Sequence, residues 1–178
     1  MTFHVRLACL PEVPQLQALI AQSVRQLSVG YYTPAQVESA LQHVFGVDTQ
    51  LLLDGTYFVA DAAGQLAGCG GWSRRASLYG GNQHKLAADP LLDPARDAAR
   101  IRAFFVHPAW ARQGVGRTII GVCEAAARQA GFRRLELAAT LPGEPLYTAL
   151  GYQAGERLAP TLPDGQQLPI VQMHKTLF

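Results

Sequence analysis

Between residues 101 and 139 the chain reads as an apolar strand, a glycine turn, an amphipathic helix and a second strand, a succession that few folds accommodate. Residues 101–106 form an apolar run that His107-Pro108 ends. After the turn, Val115, Ile119, Val122, Cys123, Ala126 and Ala130 recur on one helical face, and Gly131 supplies a C-terminal stop. Leu135, Leu137 and Ala139 then alternate as a strand. Two strands joined through a helix of this length need a parallel crossover.

The flanking elements differ. Residues 3–7 alternate as a strand, and Val13, Leu16, Ile20, Ser23 or Val24, and Leu27 follow at helical spacing behind Pro11 and Pro14. Thr33-Pro34-Ala35-Gln36 has the form of a helix start, with a hydroxyl cap, proline at the first position and a glutamine closing a capping box. Val37, Ala40, Leu41, Val44 and Phe45 provide its buried stripe. Residues 56–60 and 66–72, separated by a turn, predict an antiparallel hairpin. Residues 73–99 hold Gly80-Gly81, Asp89-Pro90 and Asp93-Pro94 without a steady period, and predict a long loop or short helical insertion in a single domain covering residues 1–178. Pro145 starts a short helix ending at Gly151, and two last strands flank Pro163-Asp164-Gly165. The expected fold class is α/β (α+β), a single mixed, mostly antiparallel twisted sheet with helices on both faces.

Composition narrows the function classes. A net charge of +2 argues for no nucleic-acid partner, and no apolar run approaches the roughly 20 residues needed to span a bilayer. The opening Met1-Thr2-Phe3-His4-Val5-Arg6 enters a strand pattern without the build of a signal peptide, so the expected location is cytoplasmic. Cys9, Cys69 and Cys123 lack CxxC spacing and nearby histidines, and predict neither metal site nor disulfide framework.

The densest chemical signal is the turn from Arg112 to Arg117. Gly114 and Gly116 let main chain approach a ligand, the N–H groups opening the following helix attract an anion, and Arg112 and Arg117 add positive charge. A pyrophosphate fits that description. A P-loop would need glycine at Ala111 and lysine at Arg117. A Rossmann fingerprint would need a small residue at Ile119, although Glu136 falls roughly 20 residues further on. Use of the same turn for ATP or NAD is the remaining reading from the residues alone.

The strand Arg102-Ala103-Phe104-Phe105-Val106-His107-Pro108, the turn from Arg112 to Arg117, and the later Leu146-Tyr147-Thr148-Ala149-Leu150-Gly151-Tyr152 together resemble the GNAT superfamily of acyl-CoA-dependent N-acyltransferases. The resemblance implies a GNAT-like sheet of about seven strands and acetyl-CoA as co-substrate. It implies that the main chain of Gln113, Gly114, Val115, Gly116 and Arg117 holds the pyrophosphate, with Arg112 beside it. Phe105 and Val106 would meet the pantetheine arm along a strand edge. Ala111 departs from the family pattern, which has Arg or Gln there.

The reaction so implied is direct attack of an amine on the thioester, transferring an acetyl or other acyl group to a small-molecule or peptide amine. Tyr147 matches the tyrosine that faces the CoA sulfur and is the expected proton donor. Val106 N–H is the expected oxyanion donor. Arg100 and Arg102 stand where some members place a glutamate base, and His43, Glu38 and His107 could act through water. Leu141 and Glu144 replace an asparagine and an alanine of the family. Tyr31, Tyr32, Trp72 and Arg74 are expected around the acceptor pocket, and Arg74, Arg75, Arg100 and Arg102, if clustered, would favour an acidic acceptor. A catalytically idle CoA-binding module is the alternative.

Overall fold

The computed structural model describes residues 2–178; Met1, the first residue of the opening run, lies outside them. The strands are β1 (His4–Leu7), β2 (Tyr57–Ala62), β3 (Gln65–Ser73), β4 (Ala99–Val106), β5 (Arg134–Thr140), β6 (Gln153–Leu158) and β7 (Ile170–Thr176). The helices are α1 (Val13–Leu27), α2 (Pro34–His43), α3 (Thr49–Leu53), α4 (Val115–Gln129) and α5 (Glu144–Ala149). One seven-stranded sheet has the order β1-β2-β3-β4-β5-β7-β6. Every neighbouring pair is antiparallel except β4 and β5. The mixed sheet is as expected, and its parallel pair is the one the α4 crossover requires.

Strand alternation distributes the core to two faces. Ala60, Ala67, Leu135, Leu137 and Met173 meet Ile119, Ile120 and Cys123 of α4, while Val59, Leu66, Cys69 and Ile170 meet Leu16, Ile20 and Val37 of α1 and α2. The α4 stripe is rotated slightly from the expected one: Ile120 and Ala127 are buried and Val122 only half so. At α2 the Thr33 hydroxyl accepts from Gln36 N–H and the Gln36 side chain returns the bond, the capping box read from sequence. Helix α3 is too short to show a period in the sequence; Asp48 caps it by accepting from Gln50 N–H at 3.1 Å.

The segment between β3 and β4 holds one 3-10 turn, Asn82–His84, and an isolated bridge between Arg75 and Leu91. Side chains hold it down. Arg75 pairs with Asp54 and donates to Asp89 O, Lys85 reaches Asp48 at 2.6 Å, and Arg102 donates to Ser77 O and Gly80 O.

Candidate active site

The parallel register of β4 and β5 covers only Ala99 with Leu135 and Arg100 with Glu136; beyond that the strands diverge. Their separation leaves one edge of β4 facing a cleft. His107 N–H donates to Ala67 O at 2.9 Å, so His107, and Phe105 two residues before it, turn their main chain toward β3. By alternation Val106 directs its N–H and C=O into the cleft. Phe105 therefore offers the cleft a side chain, its ring edge-on to Phe45 with centroids 5.7 Å apart. A bulge disturbs the β3–β4 register here, and Ala103 within it takes φ 51°, a left-handed conformation uncommon for alanine.

The cleft contains a cavity of about 210 Å³ whose walls include Phe104, Phe105 and Val106 of β4, Leu137 of β5, and Leu146 and Tyr147 of α5. Phe104 lies over a glycine: a Cβ at Gly70 would stand 2.4 Å from two of its ring carbons. On the cleft side the Phe104 ring meets Tyr147 edge-on at 6.5 Å, and Tyr147 meets Tyr152 in the same way at 5.6 Å. Burial, reinforced by nearby Cys123, pushes the Tyr147 phenol well above its ordinary value, so at neutral pH it carries its proton.

At the far end of β4, His107 caps a 3-10 turn, accepting from Ala109 N–H at 3.1 Å through Nδ1, and Trp110 is buried at the turn's end. Arg112 with φ 61° and Gly114 with φ 86° then reverse the chain into α4. Arg112, Gln113, Gly114 and Arg117 are exposed, while Val115 and Gly116 are buried. Thr118 N–H donates to Gly114 O at 2.9 Å, so Val115, Gly116 and Arg117 precede the first helical bond and their N–H groups face outward at the positive end of the dipole. Gly116 joins the turn to the cleft: a Cβ there would come within 2.8 Å of Leu146 and 3.7 Å of Val106. Turn, strand edge and tyrosine thus form one continuous path.

A family model for the GNAT acetyltransferases matches residues 21–152, most of the chain and all of this path. The chain belongs to the GNAT acetyltransferase family.

Solved structures agree in fold. A GCN5-related N-acetyltransferase from Rhodopseudomonas palustris superposes with a TM-score of 0.75 at 21% identity, over 99% of this chain and 97% of that one. PaiA N-acetyltransferase from Thermoplasma acidophilum, solved with coenzyme A, gives 0.66 at 12% identity over 99% of each chain. YncA from Salmonella typhimurium, solved with acetyl-CoA, gives 0.65 at 15% identity over 100% of this chain and 95% of that one. A search of curated proteins finds no match.

In this GNAT chain the four arginines that would favour an acidic acceptor if clustered are each engaged by another group. Arg75 is held by Asp54, Arg100 by Glu136 at 2.5 Å, and Arg74 lies over the Trp72 ring. Arg102 is buried beside Asp48 at 3.0 Å, and burial draws its basicity below the ordinary guanidinium value against the pull of that carboxylate. Two residues expected at the acceptor pocket are structural. Trp72 packs on Phe132, and the Tyr32 hydroxyl donates to Pro169 O at 2.5 Å while accepting from Leu141 N–H at 3.0 Å. Tyr31 is half exposed and absent from the cavity wall. Glu38 pairs with Arg25 on the surface, and His43 lies near Asp164, whose carboxyl it helps hold low. Glu144 opens α5 and pairs with Arg157. The insertion, expected to help build the acceptor pocket, contributes Leu78, Tyr79 and Gly80 to the cavity wall.

Among the described residues no group of three or more His, Cys, Asp or Glu side chains could hold a metal ion, and no helix is long and apolar enough to cross a membrane.

Proposed function

We propose that this chain transfers an acetyl group from acetyl-CoA to an amine, with Tyr147 as the proton donor to the departing sulfur. The observation that carries the reading is the continuity of three parts: helix-opening N–H groups at Val115, Gly116 and Arg117, an open β4 edge at Val106, and a protonated tyrosine on the cavity wall beyond them. The parts suit the donor in kind. The turn offers positive charge and N–H groups to a pyrophosphate, with Arg112, Gln113, Gly114 and Arg117 exposed around it. The main chain of Val106 can pair with amide groups of the pantetheine arm as an added strand would.

The donor supplies an activated carbonyl. The amine lone pair forms a C–N bond to it, the C–S bond breaks with its electron pair passing to sulfur, and Tyr147 gives sulfur a proton. The proton displaced from nitrogen leaves to water, and solvent restores the phenol, so the products are an amide and a free thiol. Val106 N–H is the donor toward charge developing on the carbonyl oxygen. The cell interior is the compartment in which we expect this activity, since its donor is an intracellular metabolite.

The test is acceptor-dependent release of free thiol from acetyl-CoA, together with thermal unfolding in acetyl-CoA, NAD and ATP. We expect stabilisation by acetyl-CoA alone, and a fall in kcat of about 100-fold in Tyr147→Phe with donor affinity unchanged. Equal turnover in that variant removes Tyr147 from the mechanism. Binding without thiol release for any amine leaves an idle CoA-binding module.

A further inference from the structure

We propose that the acceptor is a weakly basic, apolar amine, an arylamine in the simplest case. This rests on the reading that acetyl-CoA is the donor. Beyond Val106 the cavity continues between the sheet and the first two helices, walled by Val24, Leu27, Val44, Phe45, Leu78 and Tyr79. Its remaining polar side chains there, Ser23, Ser28 and Thr140, are neutral. Among the described residues lining it there is no carboxylate, lysine or imidazole, and the one ionised side chain is Arg102.

Arg102 is already charge-paired, and of its nitrogens only the buried Nε has no hydrogen-bond partner among the described residues. Its charge is met by Asp48, and its two terminal nitrogens donate to Ser77 O, Gly80 O and Asp48. Lys85 binds the same Asp48 oxygen and also reaches Asp89 at 2.9 Å, so the cluster around Arg102 is two cations against two anions. An amino acid or acidic acceptor would bring a negative charge to a wall whose one cation is already paired with Asp48.

A strongly basic acceptor meets the opposite difficulty. An alkyl amine with a pKa of about 10.4 is neutral in only about one molecule in 2,500 at pH 7, and the charged form has no anion in this chamber to receive it. It would also need a base to take its proton before attack, and the wall supplies none. Glu38 and His107 are engaged elsewhere, with Arg25 and with Ala109 N–H. An arylamine arrives uncharged with its lone pair available, so it loses a proton only after the C–N bond forms, when that proton is acidic enough for water to accept.

The deciding comparison uses two isomers, p-toluidine and benzylamine, which share atoms and bulk but differ in basicity, with spermidine, a lysine-containing peptide and glutamate alongside. Thiol release and acetamide mass are followed with the full chain and acetyl-CoA from about pH 6.5 to about pH 8.5. We expect kcat/KM for p-toluidine to exceed that for benzylamine by at least about tenfold at neutral pH and to stay flat, while benzylamine climbs roughly tenfold per unit. Spermidine and glutamate stay at background.

Preference for spermidine, the peptide or glutamate, or equal rates for the isomers at pH 7, overturns the proposal. Calorimetric titration of p-toluidine into protein saturated with CoA separates this inference from the donor reading. Binding of p-toluidine but not spermidine supports the chamber even if no thiol is released, and absence of p-toluidine binding sinks it even if acetyl-CoA binds. Leu27→Glu on the wall and Tyr79→Glu at the half-exposed mouth should each lower the p-toluidine to spermidine ratio about tenfold. An unchanged ratio in folded Tyr79→Glu places the acceptor elsewhere.

Discussion

Replacing Gly70 by alanine tests whether β3 is glycine-rich because Phe104 needs the space. The new Cβ would stand 2.4 Å from two carbons of the Phe104 ring and 2.6 Å from a third, roughly 1 Å inside ordinary contact. The backbone there is not left-handed, so no strain from φ enters. The strand would gain about 0.4–1 kcal/mol from a less flexible unfolded chain, and overpacking costs about 1–3 kcal/mol. With overpacking at about 2 kcal/mol, the middle of that range, the balance is a net destabilisation of about 1–1.6 kcal/mol, or a midpoint lower by about 2–6 °C for a chain of this size. Because Phe104 is half-buried and open on its cleft side, its ring should swing toward Tyr147, 6.5 Å away, and narrow the cavity, lowering kcat/KM as well. The assay is urea denaturation of Gly70→Ala, Phe104→Leu and the double variant. We expect the double variant to be more stable than additivity predicts by about 1 kcal/mol. Gly70→Ala as stable as the parent, or no coupling in the cycle, would refute the argument.

Asp48→Ala leaves Arg102 buried without its carboxylate and should destabilise by about 3–5 kcal/mol in denaturant titration, with Asp48→Ala/Arg102→Met recovering part of the loss. Tyr32→Phe removes the hydroxyl linking Pro169 O and Leu141 N–H and should cost about 1–3 kcal/mol by the same measurement. Glu12, bonded by Arg6, has its pKa lowered from 4.5 to about 2; the folded value lies below the unfolded one, so its contribution is complete above pH 4.5 and is lost as pH falls toward 2. Acid unfolding followed by circular dichroism should show that loss, and Arg6→Gln should flatten it.

What could be read from the sequence was local. The crossover from β4 to β5, the Thr33 to Gln36 capping box and the glycine turn each lie within a few turns of chain, where periodicity and special residues speak directly. The roles of the arginines are not legible because their partners are distant in sequence: Asp54 lies 21 residues from Arg75, Glu136 36 from Arg100 and Asp48 54 from Arg102. Tyr32 and Trp72 look like pocket aromatics until the sheet closes over them, since Pro169, the partner of Tyr32, is 137 residues away. Gly68, Gly70 and Gly71 carried a signal that could have been used. Glycines inside a strand mark close approach, here by Val115, Phe104 and the Thr56 carbonyl. The bulge at Ala103 had no such mark, because alanine does not advertise a left-handed backbone.

The short register between β4 and β5 has a mechanical consequence. The sheet is two antiparallel blocks, β1 to β4 and β5 to β6, each laced by long ladders such as the seven residue pairs of β5 with β7. Between the blocks run only two pairs, and the Arg100–Glu136 ion pair fastens the seam at the second of them. Force that would spread either block must break a whole ladder, whereas force that spreads the blocks from one another works against a hinge two residues long. Within the sheet's own hydrogen bonding the seam is therefore the weakest joint, closed at Arg100 and Glu136 and open toward Val106 and Thr140, and what resists its widening is the α4 core packed on both blocks.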